Sequence, residues 1–136
     1  MFESIKNRLN NPKVRHLFGT LGEEYTEAII DMKLAQYHDD AAYSIYGWLE
    51  QDEILGICGF VFRDDCIYIH DLAVDEDVRG RGIGSAMIAV LQEKFTLPIT
   101  AETDDEAVEF YRKIGFDVSD VPPKHGMRWY ALYRSI

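Results

Sequence analysis

The chain has 136 residues, enough for a single domain, residues 1–136, with one sizeable core. It is 47% hydrophobic and 28% charged, which excludes a disordered polypeptide, and it has no apolar run near the roughly 20 residues that span a bilayer. Its formal net charge of −10 argues against nucleic acid, because phosphate-backbone binding needs a basic face, and is compatible with an amine-bearing partner as well as with plain solubility.

The N-terminus lacks the apolar stretch of a signal peptide. Phe2, Ile5 and Leu9 have helical spacing, and Asn10-Asn11-Pro12 reads as a stop. Thr20 with Glu23 forms a capping box that opens a second helix, running to about His38. Its apolar face is Leu21, Tyr25, Ala28, Ile29 and Met32. Residues 43–49, 54–62 and 66–74 are then rich in β-branched and aromatic side chains, and the short polar breaks between them suit antiparallel hairpins. Cys58 and Cys66 fall inside these strands without metal-ligand spacing, so reduced thiols, no metal and a cytoplasmic location are expected.

The helical period returns with Ile83, Met87, Leu91 and Phe95, followed by a short strand over residues 97–101. In the next helix Thr103 and Glu106 form a capping box, Asp104 and Asp105 sit at the positive end, and Arg112 and Lys113 at the negative end. Gly115 follows at the C-cap, and the buried face is Ala107, Phe110, Tyr111 and Ile114. Residues 116–118 and 127–134 close the chain as strands around a Pro122-Pro123 loop. The order α-α-β-β-β-α-β-α-β-β predicts an α+β fold: a mixed, mostly antiparallel sheet with helices on both faces.

Residues 74–85 carry the chemistry, with three glycines in five residues where a strand gives way to a helix. Glycine permits positive φ and close approach of a ligand to the main chain. The unpaired N–H groups and dipole of a helix start favour an anion, so the turn suits a phosphate or pyrophosphate. Arg79 and Arg81 are placed to add charge-assisted bonds. No Gly-Lys-Ser/Thr ending is present, and the glycine spacing does not fit a dinucleotide fingerprint.

The pattern Arg79-x-x-Gly82-x-Gly84, after the strand 67–74, resembles the acetyl-CoA signature of the GNAT superfamily of N-acetyltransferases. Residues 107–116 resemble that family's second motif, in which a tyrosine precedes a Gly-Phe strand start. The resemblance covers residues 43–136, while the first 40 residues match only in being helical. It implies a cofactor-binding core in 43–136, an acceptor-side region in 1–40, and acetyl-CoA lying where one strand splays from its neighbour at a bulge. Leu72 and Val74 would hold the pantetheine arm through their main chain. Gly80, Arg81, Gly82, Ile83, Gly84 and Ser85 would hold the pyrophosphate with Arg79, and Tyr111 would protonate the departing thiolate. Asp104 stands where the family commonly has Asn. A carboxylate there forgoes the amide's donor to the cofactor but serves equally as a helix N-cap.

The implied activity is transfer of the acetyl group from acetyl-CoA to an amine of a small molecule or protein, by direct attack in a ternary complex. The amine must lose a proton. His70 has the suitable intrinsic pKa and shares a strand face with Tyr68, while water leading to Asp71, Glu102 or solvent is the alternative. Tyr111 also suits plain core packing. A non-catalytic acyl-CoA-binding module and a protein-interaction domain are the competing functions, and homodimers are common in the family.

Overall fold

The computed structural model describes residues 1–124 and 127–133. Its elements are β1 (Phe2–Ser4), α1 (Pro12–Gly19), α2 (Glu27–Asp39), β2 (Ser44–Glu50), β3 (Glu53–Arg63), β4 (Cys66–Val74), α3 (Ile83–Phe95), β5 (Ile99–Thr103), α4 (Val108–Lys113), β6 (Asp117–Lys124) and β7 (Met127–Tyr133). The strands form one sheet in the order β1-β2-β3-β4-β5-β7-β6. Only the β4–β5 neighbours among them run parallel, joined by the crossover through α3. The expected α+β architecture, with a mostly antiparallel sheet, is what the chain adopts.

The sheet separates two apolar cores. Ile67, Ile69, Leu72 and Val74 of β4 pack with Ile83, Met87, Ile88 and Leu91 of α3 and with Tyr111 of α4. On the other face Ile45, Ile57 and Ala73 pack with Val14, Leu17 and Phe18 of α1 and with Ile30 and Tyr37 of α2. Strand alternation produces this division, since successive side chains leave a strand on opposite faces. Among the described residues no helix is long and apolar enough to cross a membrane.

The first 40 residues fold differently from their expected form. Phe2–Ser4 is an edge strand paired with β2, not a helix, and Ile5 packs where a Cβ on Gly47 would come within 2.8 Å of it. Asn10-Asn11-Pro12 is a helix start rather than a stop: the Asn11 side chain accepts the Lys13 N–H at 2.9 Å, and Pro12 occupies the first turn. Thr20 caps nothing downstream, because its hydroxyl donates back to the Leu17 carbonyl at 2.7 Å. The second helix begins after Thr26, whose side chain accepts the Ile29 N–H. Its buried residues are Ile30 and Tyr37, while Ile29 and Met32 face solvent, Met32 at 67% exposure.

Two later expectations also shift. The α4 turn is capped by Asp104, whose carboxylate accepts the Ala107 N–H at 2.9 Å, and not by Thr103, which is buried at the end of β5. Pro122 and Pro123 lie within β6 rather than in a loop. That strand is the sheet's edge and its pairing with β7 is irregular between Asp120 and Lys124, the setting in which a strand tolerates proline. The expected strand 127–134 holds through Tyr133, and Arg134 lies outside the described residues.

The revised α2 face is directly testable by urea denaturation. Ile30→Ala is expected to cost about 2–5 kcal/mol, as for other buried large-to-small changes. Met32→Ala is expected to stay within about 0.5 kcal/mol, as exposed positions do. Equal costs would contradict the assignment.

Candidate active site

Strands β4 and β5 pair for three residues, Ile67 with Ile99, Tyr68 with Thr100 and Ile69 with Ala101, and then part. At the parting β4 carries a bulge: Gly59 pairs with Asp71 and Phe60 with Ile69, so His70 is the extra residue. A bulge bends its strand and raises the local twist. It also places His70 and Asp71 consecutively on the α1/α2 face, where His70 meets the rings of Tyr43 and Tyr68 at 5.2 and 4.9 Å between centroids. The parting opens a cleft of about 700 Å³.

Beyond the bulge the β5-facing edge of β4 has no strand partner among the described residues. The Asp75 N–H bonds back to Leu55 of β3, so by strand alternation the main-chain groups of Leu72 and Val74 point the other way, into the cleft. The Val74 carbonyl is there, accepting the Arg79 Nε–H at 3.4 Å. The side chains of Leu72 and Val74 stay in the core.

The far end of the cleft is the glycine turn. α3 begins at Ile83 without a side-chain cap, and its N-cap, Gly82, is left-handed at φ 81°. Gly80 is likewise at φ 89°, and a Cβ at either glycine would meet no atom within 4 Å. The first turn of α3 thus has no side-chain cap, and uncapped N–H groups at a helix start favour an anion. Gly84 has another reason to be small, since a Cβ there would lie 3.1 Å from Phe110 Cζ, where α3 packs on α4.

Of the residues singled out in the sequence, His70, Leu72, Val74, Arg79, Gly80, Gly82, Ile83, Gly84, Ser85, Asp104 and Tyr111 all line this cleft. Arg81 does not. Its guanidinium holds both carboxylate oxygens of Glu50, at 2.9 and 3.1 Å, and so ties the loop to the end of β2. Lys113, at the end of α4, lines the cleft instead. Thr20, Leu21, Glu24 and Tyr25 from the α1–α2 connection form a further wall, within the expected acceptor-side region 1–40 but not singled out as site residues in the sequence.

Tyr111 is nearly buried, and burial pushes its phenol well above the usual tyrosine range, so it is a protonated donor at neutral pH. Its hydroxyl bonds to no described residue, yet no buried side-chain polar atom among them lacks a partner. The hydroxyl therefore opens into the cleft. His70 is half-buried, and that desolvation lowers its pKa from 6.5; Asp71 opposes the shift while Lys33 and Arg63 add to it. The oxygens of Asp71 are held by the Tyr25 and Tyr37 hydroxyls and by Lys33. Glu102, paired with Tyr130 in the β5–β7 ladder, also lines the cleft.

The family model described as "Acetyltransferase (GNAT) family" matches residues 8–116. A curated relative, histone acetyltransferase TAP1 of Glycine max, is 38% identical over 66 residues, which cover 46% of this chain and 28% of the relative. The match thus spans little more than a quarter of that protein. Among solved structures, Tetrahymena GCN5 aligns with a TM-score of 0.76 at 14% identity, over 100% of this chain and 98% of that one. PaiA N-acetyltransferase of Thermoplasma acidophilum, crystallised with coenzyme A, gives 0.73 at 14% identity over 99% of each chain. The aminoglycoside 6'-N-acetyltransferase of Enterococcus faecium gives 0.68 at 17% identity, over 97% of this chain and 94% of the other. At these identities the structural likeness speaks for the fold.

The environment of His70 fixes a pH response. Its imidazole takes up a proton at a lower pH in the folded than in the unfolded chain. Between those two values the unfolded state binds more protons, so stability falls as pH drops below about 6.5. An NMR titration is expected to give a His70 midpoint under 6.5, and a midpoint at or above it would contradict the assigned burial.

Proposed function

The chain belongs to the GNAT acetyltransferase family, its family match running from residue 8 to residue 116, and from that footing we propose that it transfers the acetyl group of acetyl-CoA to a primary amine. The acceptor is a small molecule or a protein amino group, attacking directly while both substrates are bound. The observation that carries this reading is the parting of β4 from β5 after three pairs, with an uncapped helix start at one end of the opening and Tyr111 and His70 along it.

Residues of this chain fit each part of the donor. The uncapped N–H groups at Ile83, Gly84 and Ser85, with the turn at Gly80 and Gly82, suit the pyrophosphate. Arg79 and Lys113 are the cleft's cations nearest in kind to that task. The outward main-chain groups of Leu72 and Val74 suit an extended amide-bearing arm, as an added strand would. Bound acetyl-CoA supplies an acetyl group already activated as a thioester.

The protein then has two protons to move. His70 Nε2 or Nδ1, held neutral by its half-buried position, accepts the proton of the incoming ammonium. The Tyr111 hydroxyl, held protonated by burial, gives its proton to the departing sulfur. Positioning both partners in one cleft is the largest contribution, since it replaces an encounter in solution by a fixed approach. Asp104 supports the site through α4, as the cap of the turn before Tyr111. Arg81 acts at one remove, by fixing the loop on Glu50.

Calorimetry and turnover with the purified chain test the reading. Gly82→Glu is expected to abolish acetyl-CoA binding, because a carboxylate fills the anion site. Tyr111→Phe is expected to lower turnover by about one to two orders of magnitude with acetyl-CoA affinity kept, within the range of a general acid. Unchanged binding in the first variant, or an unchanged rate in the second, would overturn the assignment concerned.

A further inference from the structure

The side chain of Asp71 is fully buried at the centre of the sheet. Its Oδ2 accepts from the Tyr37 hydroxyl at 2.6 Å, its Oδ1 from the Tyr25 hydroxyl at 2.8 Å, and Lys33 Nζ lies 3.1 Å from Oδ1 and 3.2 Å from Oδ2. The fold makes room for this arrangement. Gly59 opposes Asp71 across β3, and a Cβ there would come within 1.9 Å of the Tyr37 hydroxyl oxygen. A buried ion cluster is weak evidence of stabilisation, because an apolar replacement of equal volume often serves as well. What this one fixes that an apolar cluster would not is the position of Tyr25.

Tyr25 belongs to the segment joining α1 to α2. The backbone bonds of residues 20–25 are local, from Thr20 to Leu17, from Leu21 to Phe18 and from Tyr25 to Gly22. Among the described residues, the Tyr25–Asp71 bond is the sole hydrogen bond joining residues 20–26 to the sheet. Leu21, Glu24 and Tyr25 of this segment line the cleft together with His70. The Tyr25 ring is seated between Phe18, 6.5 Å away by centroid, and Lys33, whose Nζ lies 5.4 Å from the ring.

We infer that Asp71 is a positioning residue of the acceptor site: through Tyr25 it clamps the wall of residues 20–26 over the His70 end of the cleft, excluding water and setting which amines enter. The inference rests on the proposed reading of the cleft as an acetyl-transfer site. Its chemical consequence is definite. With the wall loosened, the oxygen of water adds to the acetyl carbon, the carbon–sulfur bond breaks, the sulfur takes one proton, and acetate, the CoA thiol and a second proton are released.

Tyr25→Phe removes the clamping hydroxyl and keeps the ring. In the free protein, hydrogen exchange of the amides in residues 20–26 is expected to rise about ten- to a hundredfold, the worth of a hydrogen bond to a charged acceptor, with β3 and β4 unchanged. Acetyl-CoA hydrolysis without any amine, read as thiol release, is expected to rise several-fold while calorimetric acetyl-CoA affinity stays within about twofold, since the hydroxyl removed bonds Asp71 and not the turn of residues 80–85. Asp71→Asn, if it folds, is expected to move the same readouts further. Unchanged exchange in Tyr25→Phe overturns the clamp. Faster exchange with unchanged hydrolysis overturns its role in guarding the acetyl group. Failure of the wild-type chain to bind acetyl-CoA overturns the transferase reading, while the exchange measurement still decides the clamp.

Discussion

The rest of the site depends on one extra residue in β4. His70 has no partner of its own across β3, and the bulge it makes lies just past the last pair that β4 forms with β5. A ladder that continued in register here would have paired the next residues of β4 with Glu102 and Thr103 and closed the space between the strands. Because β4 instead leans away, its free edge faces a cleft rather than a strand. The same extra residue reverses the alternation, so Tyr68, His70 and Asp71 share the α1/α2 face while Leu72 and Val74 remain in the α3 core. The free edge of β4, the place of His70 beside the cleft and the buried carboxylate of Asp71 are thus consequences of a single irregularity in the ladder.

The polar contacts around the cleft hold its edges instead of filling it. Lys13 pairs with the buried Asp75 at the end of β4, and the Asp75 carboxylate also takes the Asp77 N–H at 2.9 Å, shaping the turn that leads to the glycines. Arg81 binds Glu50 on the far side of that loop. Among the described residues no side chain caps the amides of the helix start, which is the condition for anion binding. The exposed Arg81–Glu50 pair contributes little to stability by itself. Its consequence is geometric, because it fixes the loop that carries Gly80 and Gly82.

Elements with an unbroken period were legible in the sequence. Ile83, Met87 and Leu91 are buried as their spacing indicated, and the three central strands fall within a residue of their expected bounds. The α2 face was not legible, because Lys33 sits amid Ile30, Leu34 and Tyr37 on the side that packs against the sheet. A lysine there breaks the apolar pattern, and only the buried Asp71 explains its presence. β1 was misread because a three-residue edge strand exists only through β2, and its local spacing fits a helix equally well. Thr20 illustrates the same limit, since a hydroxyl near a helix end serves either the preceding or the following helix.

The glycine turn was the clearest feature of the candidate site, since positive φ and an uncapped helix start follow from residue type. Gly59 carried a weaker signal, because an isolated glycine inside a strand marks a bulge or a close approach. It proved to mark both, the His70 bulge and the Tyr37 hydroxyl. The central claim is that the opening between β4 and β5 is the seat of acetyl-CoA. The most direct test is to record amide shifts of the ¹⁵N-labelled chain while adding coenzyme A. The account predicts shifts concentrated at Leu72, Val74 and Tyr111 and across residues 80–85. No shifts at millimolar ligand, or shifts confined to other surfaces, would contradict it.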